Sequence, residues 1–561
     1  MHILPDQNRL TRLLPVLGII AVIVMATGFT AIMTGSGLAI EGDGYYYINA
    51  ARIMAASLGM GEMVHLPPDL LREYIRFHAF ARELWPPFYP ALLAAVSFSA
   101  DPYVAGRWLH LAFPAVMGLL LWLIFIQNGK TRGRALAAVA LVLLSPPLLR
   151  LNSFMFSETP FLILQVLTLL AVGGYLRRKK ISWLAAAIVF IALACLTRYI
   201  GVVMALALAC LLWRIHREMA FFRRLGLVLT CVALCLLPVT LYMLSSILYG
   251  QTLYVAGRSL ALDWPLVKIF VFFKKSISSS FLYLAPEWWP RLIRYGFVLL
   301  ASAGILLFAV RQFRTQSRQP AAEHVRQLQT YIAFCLVIYV VLTSLLALFL
   351  DHMLCYTGIT ARHFAPVFIW LVVLLLLTGP AGPPAADVST SLFPRLLPGI
   401  LAAGLILASL SGSIATTARH RDMSAGSQNA WKNSTALAYV RHLRDTPWLV
   451  SNLPGEIFHY LRVPVFALPA HYDFFKAQEN HRYERQMAYL RKLLHQHDGM
   501  VLYFNLWLYR PPEAAAQATS LEECLERLDL EVFYRERSCL ILTPRPDPTR
   551  AGEEEIGRPS R

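Results

Sequence analysis

Several apolar runs in this chain exceed the roughly 18 residues a helix needs to cross a bilayer. A chain that carries many such runs has few options, because every backbone N–H and C=O inside lipid must be satisfied within the segment itself. Spans are expected near 12–33, 106–126, 135–150, 157–176, 182–197, 199–214, 225–248, 291–311, 328–350, 362–378 and 394–413. Only 15% of the 561 residues are charged, against about a quarter in a typical soluble domain. The expected fold class is therefore a polytopic α-helical membrane protein of about eleven spans.

The basic residues check this count. Arg9 and Arg12 precede the first span; Lys130, Arg132 and Arg134, then Arg177–Lys180, then Arg214, Arg217, Arg223 and Arg224, then Arg311, Arg314, Arg318 and Arg326 lie between later ones. All fall on one side if the N-terminus is cytoplasmic, as the positive-inside rule requires. The net charge of +18 is thereby accounted for without a nucleic-acid partner. The same topology puts residues 39–54, and the chain after about Leu410, outside. The first run could instead be a signal peptide, with small residues at Gly37–Ala39; its length favours an uncleaved anchor. Leu253–Trp289 is apolar enough to resemble a span, but Lys274 and Lys275 in its middle argue for an outer, interface-lying segment that ends at Trp288 and Trp289.

Three parts are expected: a transmembrane domain over 1–412 with an outer loop at 34–105, a C-terminal periplasmic α/β domain over 413–543, and a disordered Pro- and Glu-rich tail over 544–561. The α/β reading rests on alternation. "STALAYVRHLR", "GEIFHYL", "RYERQMAYLRKLLHQ" and "LEECLERL" have helical spacing, whereas "PWLVSN", "VPVFAL", "GMVLYF", "LEVFYRE" and "SCLILTP" read as strands of a mostly parallel sheet. No Gly-rich phosphate fingerprint is present. Of eight cysteines, Cys195, Cys210, Cys231, Cys235 and Cys335 lie in or beside apolar runs as packing residues, and no CxxC occurs. Cys524 and Cys539 fall in an oxidising compartment by this topology, so a bridge between them is an open expectation.

Chemistry concentrates in "AIEGDGYYYINAARIM", Ala39–Met54, where the chain leaves the first span. Asp43 opens a helical pattern and can serve as a helix cap; at the membrane surface it can equally accept a proton. Gly42 and Gly44 leave backbone freedom beside it, and Glu41 is its nearest rival. Tyr45, Tyr46 and Tyr47 suit either a headgroup belt or a substrate. In "ELWPPFYPALLAA", Glu83–Ala95, Pro86 and Pro87 stop a helix from running through. Arg198 lies between two spans on the outer side, and Arg362 with His363 begins another there. Both arginines oppose the positive-inside trend. They either snorkel to lipid headgroups or mark a functional site, where the guanidinium fork matches phosphate oxygens.

An outer-loop Asp after the first span followed by a Pro-Pro-x-Tyr-Pro stretch resembles the GT-C glycosyltransferases. The nearest likeness is to bacterial relatives of protein O-mannosyltransferases and lipid A aminoarabinose transferases. "NSFMFSETPFLIL" with Glu158, "CLTRYIGVV" and "ARHFAPVF" resemble their later segments. The resemblance implies a sugar donor on a polyprenyl phosphate and transfer to an acceptor hydroxyl of a glycolipid, polysaccharide or protein, at the periplasmic face of the bacterial inner membrane. It implies Asp43 as general base and Glu158 as the second catalytic residue, which helps position acceptor or donor. Tyr45, Tyr46, Glu83, Trp85, Arg198, Arg362 and His363 are the expected substrate-binding residues. Many relatives carry a basic residue before the Pro-Pro pair where this chain has Trp85, so the phosphate must be met elsewhere. No cofactor is demanded, although Asp43 with Glu158 could hold a divalent cation. A lipid-linked saccharide flippase and a polysaccharide polymerase or ligase are the alternatives; no internal repeat of the kind transporters show is apparent.

Overall fold

The computed structural model describes residues 7–35, 37–40, 43–57, 86–97, 101–248, 323–349, 361–377, 392–421, 431, 433–443, 448–461, 463, 465–473, 478–481, 483–504, 518–536 and 539–546. The expected span at 291–311, the segment Leu253–Trp289, residues Glu41, Gly42, Glu83 and Trp85, and the chain after 546 lie outside these. By internal contacts the described chain divides into two units. One holds the helical bundle with residues up to Tyr47, and the other holds Ile48 onward in the same helix together with the C-terminal α/β fold. Residues 48–57 of the expected outer loop are thus grouped with the second unit.

In the bundle, α1 (Gln7–Met33) buries Ile19, Val22 and Ala26 while Leu17, Ile20 and Val24 stay exposed. That spacing is one helical face turned inward and one turned out. α2 (Asp43–Ser57) buries Gly44, Tyr47, Ile48, Ala51 and Ala55 along one stripe. A short α3 (Phe88–Val96) begins directly after the Pro86–Pro87 pair. α4 (Pro102–Gln127) is started by Asp101, whose carboxylate accepts from the Tyr103 amide at 2.9 Å.

The expected span at 135–150 is not one straight helix. α5 (Arg132–Leu143) and α6 (Pro146–Asn152) are bent by 61°. Pro146 and Pro147 have no amide hydrogen, and Ser145 before them takes an extended backbone (φ −71°, ψ 118°). The Leu144 carbonyl at the break accepts from the buried Ser413 hydroxyl at 2.5 Å, which satisfies a group the helix leaves open.

α7 (Glu158–Arg178) is buried nearly all round, as suits the central helix of a bundle. α8 (Ile181–Thr197), a 3-10 turn (Tyr199–Gly201) and α9 (Val202–Ile215) follow, then α10 (Phe221–Leu248), α11 (Glu323–Phe349), α12 (Ala365–Leu377) and α13 (Leu392–Arg419). Among the described residues, five helices are long and apolar enough to cross a membrane, or six with the bent pair. α13 runs through the expected domain boundary at 412/413.

The second unit has a five-stranded sheet in the order β2-β1-β5-β7-β6. β1 (Leu449–Ser451) pairs in parallel with β2 (Val465–Ala467) and β5 (Met500–Phe504); β7 (Cys539–Pro544) pairs antiparallel with β5 and with β6 (Leu530–Arg535). Successive side chains point to opposite faces of the sheet and so divide between two cores. Leu449, Leu502 and Ile541 meet helices α14 (Thr435–Arg441) and α15 (Pro454–Leu461). Val450, Val501 and Leu542 meet α16 (Tyr483–Gln496) and α17 (Leu521–Arg527). A two-stranded ribbon, β3 (Tyr472–Asp473) with β4 (Gln478–Glu479), was not visible in the hydrophobic pattern.

Cys524 and Cys539 are free thiols. The expected bridge fails because Cys524 packs in the core on one face of the sheet and Cys539 in the core on the other. Burial pushes both thiols up, Cys524 to about 12.

Candidate active site

Four helix ends converge on one cluster of charge. Asp43 is the first residue of α2 and Glu158 the first of α7; a carboxylate at a helix N-terminus is favoured by the aligned peptide dipoles. Arg198 follows the last residue of α8, and Arg362 sits in the 3-10 turn (Ala361–Phe364) that leads into α12.

Arg362 Nη1 donates to Asp43 Oδ2 at 3.1 Å, and its Nε lies 3.7 Å from Glu158 Oε1. Arg198 Nη1 lies 2.5 Å from the same Glu158 oxygen. Glu158 is 3% exposed, whereas Asp43, Arg198 and Arg362 keep 20%, 19% and 23%. One carboxylate is therefore interior, and the other three groups can be reached. The Arg362 guanidinium also lies over the Phe156 ring, 5.0 Å from its centroid, a cation–π contact. Burial raises the Asp43 carboxyl above the ordinary aspartate value; Arg362 opposes the shift and Glu158 adds to it.

The connection 153–157, which bridges in parallel to Ala39 at Phe154, carries Phe156 and Ser157 and leads into α7. It is held from several sides. Ala39 N donates to Ser153 O and Met155 N to Ala39 O, both at 3.0 Å. A Cβ on Gly44 would stand 3.1 Å from the Met155 carbonyl, so α2 approaches this segment closely. Tyr47 OH and Ser157 Oγ are 2.9 Å apart. Tyr89 packs edge-on against Tyr47 at 5.1 Å, and its hydroxyl lies 2.9 Å from His110 Nε2 and 3.0 Å from Met155 Sδ. His110 Nδ1 faces the Asn152 carbonyl at 2.8 Å. A carbonyl only accepts, so Nδ1 carries the hydrogen and Nε2 of the neutral ring is left to accept.

Of the residues singled out from sequence, Asp43, Glu158, Arg198 and Arg362 are brought together. His363 adjoins them, and its carbonyl accepts from the Tyr339 hydroxyl. Tyr45 is buried and Tyr46 half-buried on α2; Tyr45 and Tyr47 lie in the protein interior, which excludes them from a headgroup belt. Tyr47, Ser157, Tyr89 and His110 were not chosen as site residues. The available signals were the i, i+4 spacing of Asp43 and Tyr47, which puts both on one helix face, and the adjacency of Ser157 to Glu158. Among the described residues, no group of three or more His, Cys, Asp or Glu could hold a metal ion. Asp43 and Glu158 are each matched to a guanidinium, so a divalent cation between them would have to displace an arginine.

Residues 20–254 match the family described as dolichyl-phosphate-mannose-protein mannosyltransferase. No curated protein sequence matches the chain. Among solved structures, ArnT from Cupriavidus metallidurans bound to undecaprenyl phosphate is similar at 13% identity and a TM-score of 0.57, over 95% of this chain and 99% of that one. The archaeal oligosaccharyltransferase AglB from Archaeoglobus fulgidus, in complex with an inhibitory peptide and a dolichol-phosphate, is similar at 12% identity and a TM-score of 0.50, over 87% of this chain and 70% of that one. Identities this low speak to architecture. The chain has the GT-C fold of membrane glycosyltransferases, and its residues 20–254 carry the match to the protein mannosyltransferase family.

Proposed function

We propose that the protein transfers a sugar from a polyprenyl-phosphate-linked donor to an acceptor hydroxyl at the periplasmic face of the bacterial inner membrane, with its α/β unit in the periplasm. The acceptor is a glycolipid, a polysaccharide or a protein. The observation that carries the reading is the set Asp43, Arg362, Glu158 and Arg198, gathered from four helix ends. The undecaprenyl phosphate bound to similar ArnT and the dolichol-phosphate bound to AglB support the donor class. With Trp85 standing where many relatives have a basic residue, phosphate recognition passes to Arg198 and Arg362.

In the reaction the acceptor oxygen attacks the anomeric carbon, and the bond from that carbon to the phosphate oxygen breaks. The phosphate leaves with the bonding pair, and its growing charge is met by Arg362 and Arg198. Asp43 takes the acceptor proton. Arg362 engages Asp43 at 3.1 Å; a phosphate that draws Arg362 away frees the carboxylate to act as base. Glu158 holds Arg198 in place throughout.

Asp43→Asn tests this reading. Asn keeps the size and suits a helix start about as well as Asp. Purified variant protein, supplied with a polyprenyl-phosphate sugar, should fold normally and transfer roughly 100-fold more slowly or worse. A variant that retains most of its activity would exclude Asp43 as the base.

A further inference from the structure

The two carboxylates stand on different helices, and among the described residues an ionic and a neutral tie join those helices at the site. One is ionic, with Arg362 reaching both Asp43 and Glu158. The other is neutral, between Tyr47 on α2 and Ser157 directly before α7. We infer that Tyr47 is a positioning residue for the transfer reaction: its bond to Ser157 holds the Asp43 helix in register with the Glu158–Arg198 pair while the donor phosphate occupies Arg362. This rests on the glycosyltransferase reading above.

Three observations carry it. First, Tyr47 follows Asp43 by four residues in a continuous helix, so both project from one face, a turn apart. A shift of Tyr47 is a shift of Asp43. Second, Ser157 occupies the N-cap position of α7 and makes no capping bond. Capping is the usual work of a serine there. Its hydroxyl instead meets Tyr47 at 2.9 Å and accepts from Arg198 Nη1 at 3.4 Å. The same Arg198 nitrogen contacts Glu158. Tyr47 thus reaches, through one hydroxyl, the arginine that holds the interior carboxylate. Third, Tyr47 is 1% exposed and braced by the Tyr89 ring, which is itself pinned by His110. Burial raises the phenol far above its ordinary value, so Tyr47 stays protonated and acts through its hydrogen bond, not as a base.

A neutral tie has a property the ionic one lacks. Arg362 is attracted to phosphate and can be drawn off when the donor binds. Tyr47 and Ser157 carry no charge and do not compete for it. The register of the carboxylates then survives the exchange.

The test is Tyr47→Phe, which keeps the ring and its contact with Tyr89, alongside Ser157→Ala, the double variant and Asp43→Asn. All are purified full-length and checked for unchanged thermal unfolding, then assayed for steady-state transfer from a polyprenyl-phosphate sugar. Tyr47→Phe should lower kcat about tenfold, the scale of one buried hydrogen bond, with the donor KM within about twofold of wild type. Positioning acts in the transition state more than in donor binding. Ser157→Ala also gives up the Arg198 contact and should lose at least as much, and the double variant should be no worse than Ser157→Ala alone, because that variant already lacks the bond Tyr47→Phe removes. A folded Tyr47→Phe enzyme with wild-type kcat, or losses that multiply in the double variant, overturns the inference while the function stands. Wild-type transfer unaffected by Asp43→Asn overturns the placement of the base, and the positioning role with it.

Discussion

In the bundle, Glu158 is 3% exposed and meets guanidinium groups from Arg198 and Arg362; in the α/β unit, Arg491 and Asp529 pair at 3.2 Å with the arginine side chain 53% exposed. Both are contacts between opposite charges, and they differ in consequence. Water screens the second pair and would solvate either partner alone. For the first, the charges are already desolvated, so loss of one partner strands the other. Burial of this kind adds little net stability, and its presence at the convergence of four helix ends is better explained by chemistry than by folding.

The contrast can be broken first at Arg198. Arg198→Ala leaves Glu158 interior with the 3.7 Å approach of Arg362 as its remaining ion pair among the described residues. A stability loss of about 3 kcal/mol is expected, the low end for a stranded buried charge because one cation remains. Thermal unfolding in detergent checks it, and Arg198→Ala with Glu158→Gln should recover much of the loss. An unchanged midpoint would place the pair with the screened kind.

Arg362→Ala sharpens the comparison on the side of function. It removes the partner of Asp43 and one expected phosphate donor, and the activation free energy of transfer should rise by about 2–4 kcal/mol. Normal turnover by a well-expressed variant would leave Arg362 as a lipid-facing anchor.

Acid dependence is the next effect in size. Burial raises the Asp43 carboxyl, and a general base must be ionised. The acid limb of kcat/KM should therefore lie above the ordinary aspartate value of about 3.9. For stability the sign is the reverse of the usual salt-bridged carboxylate. The folded state binds this proton more tightly than the unfolded chain does. Asp43 thus disfavours the folded state increasingly as pH rises from the unfolded value through the folded one. Asp43→Asn should remove that dependence. A limb at or below about pH 4 would mean that Arg362 outweighs burial.

The smallest effect belongs to the α/β unit. Asp529 has a left-handed backbone, φ 55°, which Asn tolerates as well. Asp529→Asn should shift stability by less than about 1 kcal/mol. A loss several times larger would show that exposure does not separate the two regions.

Some of this was open to reading from the chain alone, for a physical reason. Helical runs declare themselves by length and apolarity because lipid leaves the backbone no other choice, and helices were found where ten of the expected spans fall. The five strands of the sheet likewise fall in the short apolar segments that alternate with helical ones. Asp43, Glu158, Arg198 and Arg362 stood out because a charge at membrane depth is rare enough to need a reason. The break at Ser145 was written in Pro146–Pro147, yet the apolar run continued across it and the pattern masked the bend. Which carboxylate meets which arginine depends on helix ends separated by 319 residues, from Asp43 to Arg362, and no local spacing encodes that. Tyr47 could be read as a surface ring until packing turned it inward, because a tyrosine suits a membrane interface and a core equally well. Cys524 and Cys539 could be read as partners until the sheet was laid between them. Composition and periodicity determined the elements and the charges at their ends; the pairing of those charges, and the neutral bond from Tyr47 to Ser157, were decided only when distant helix ends met in three dimensions.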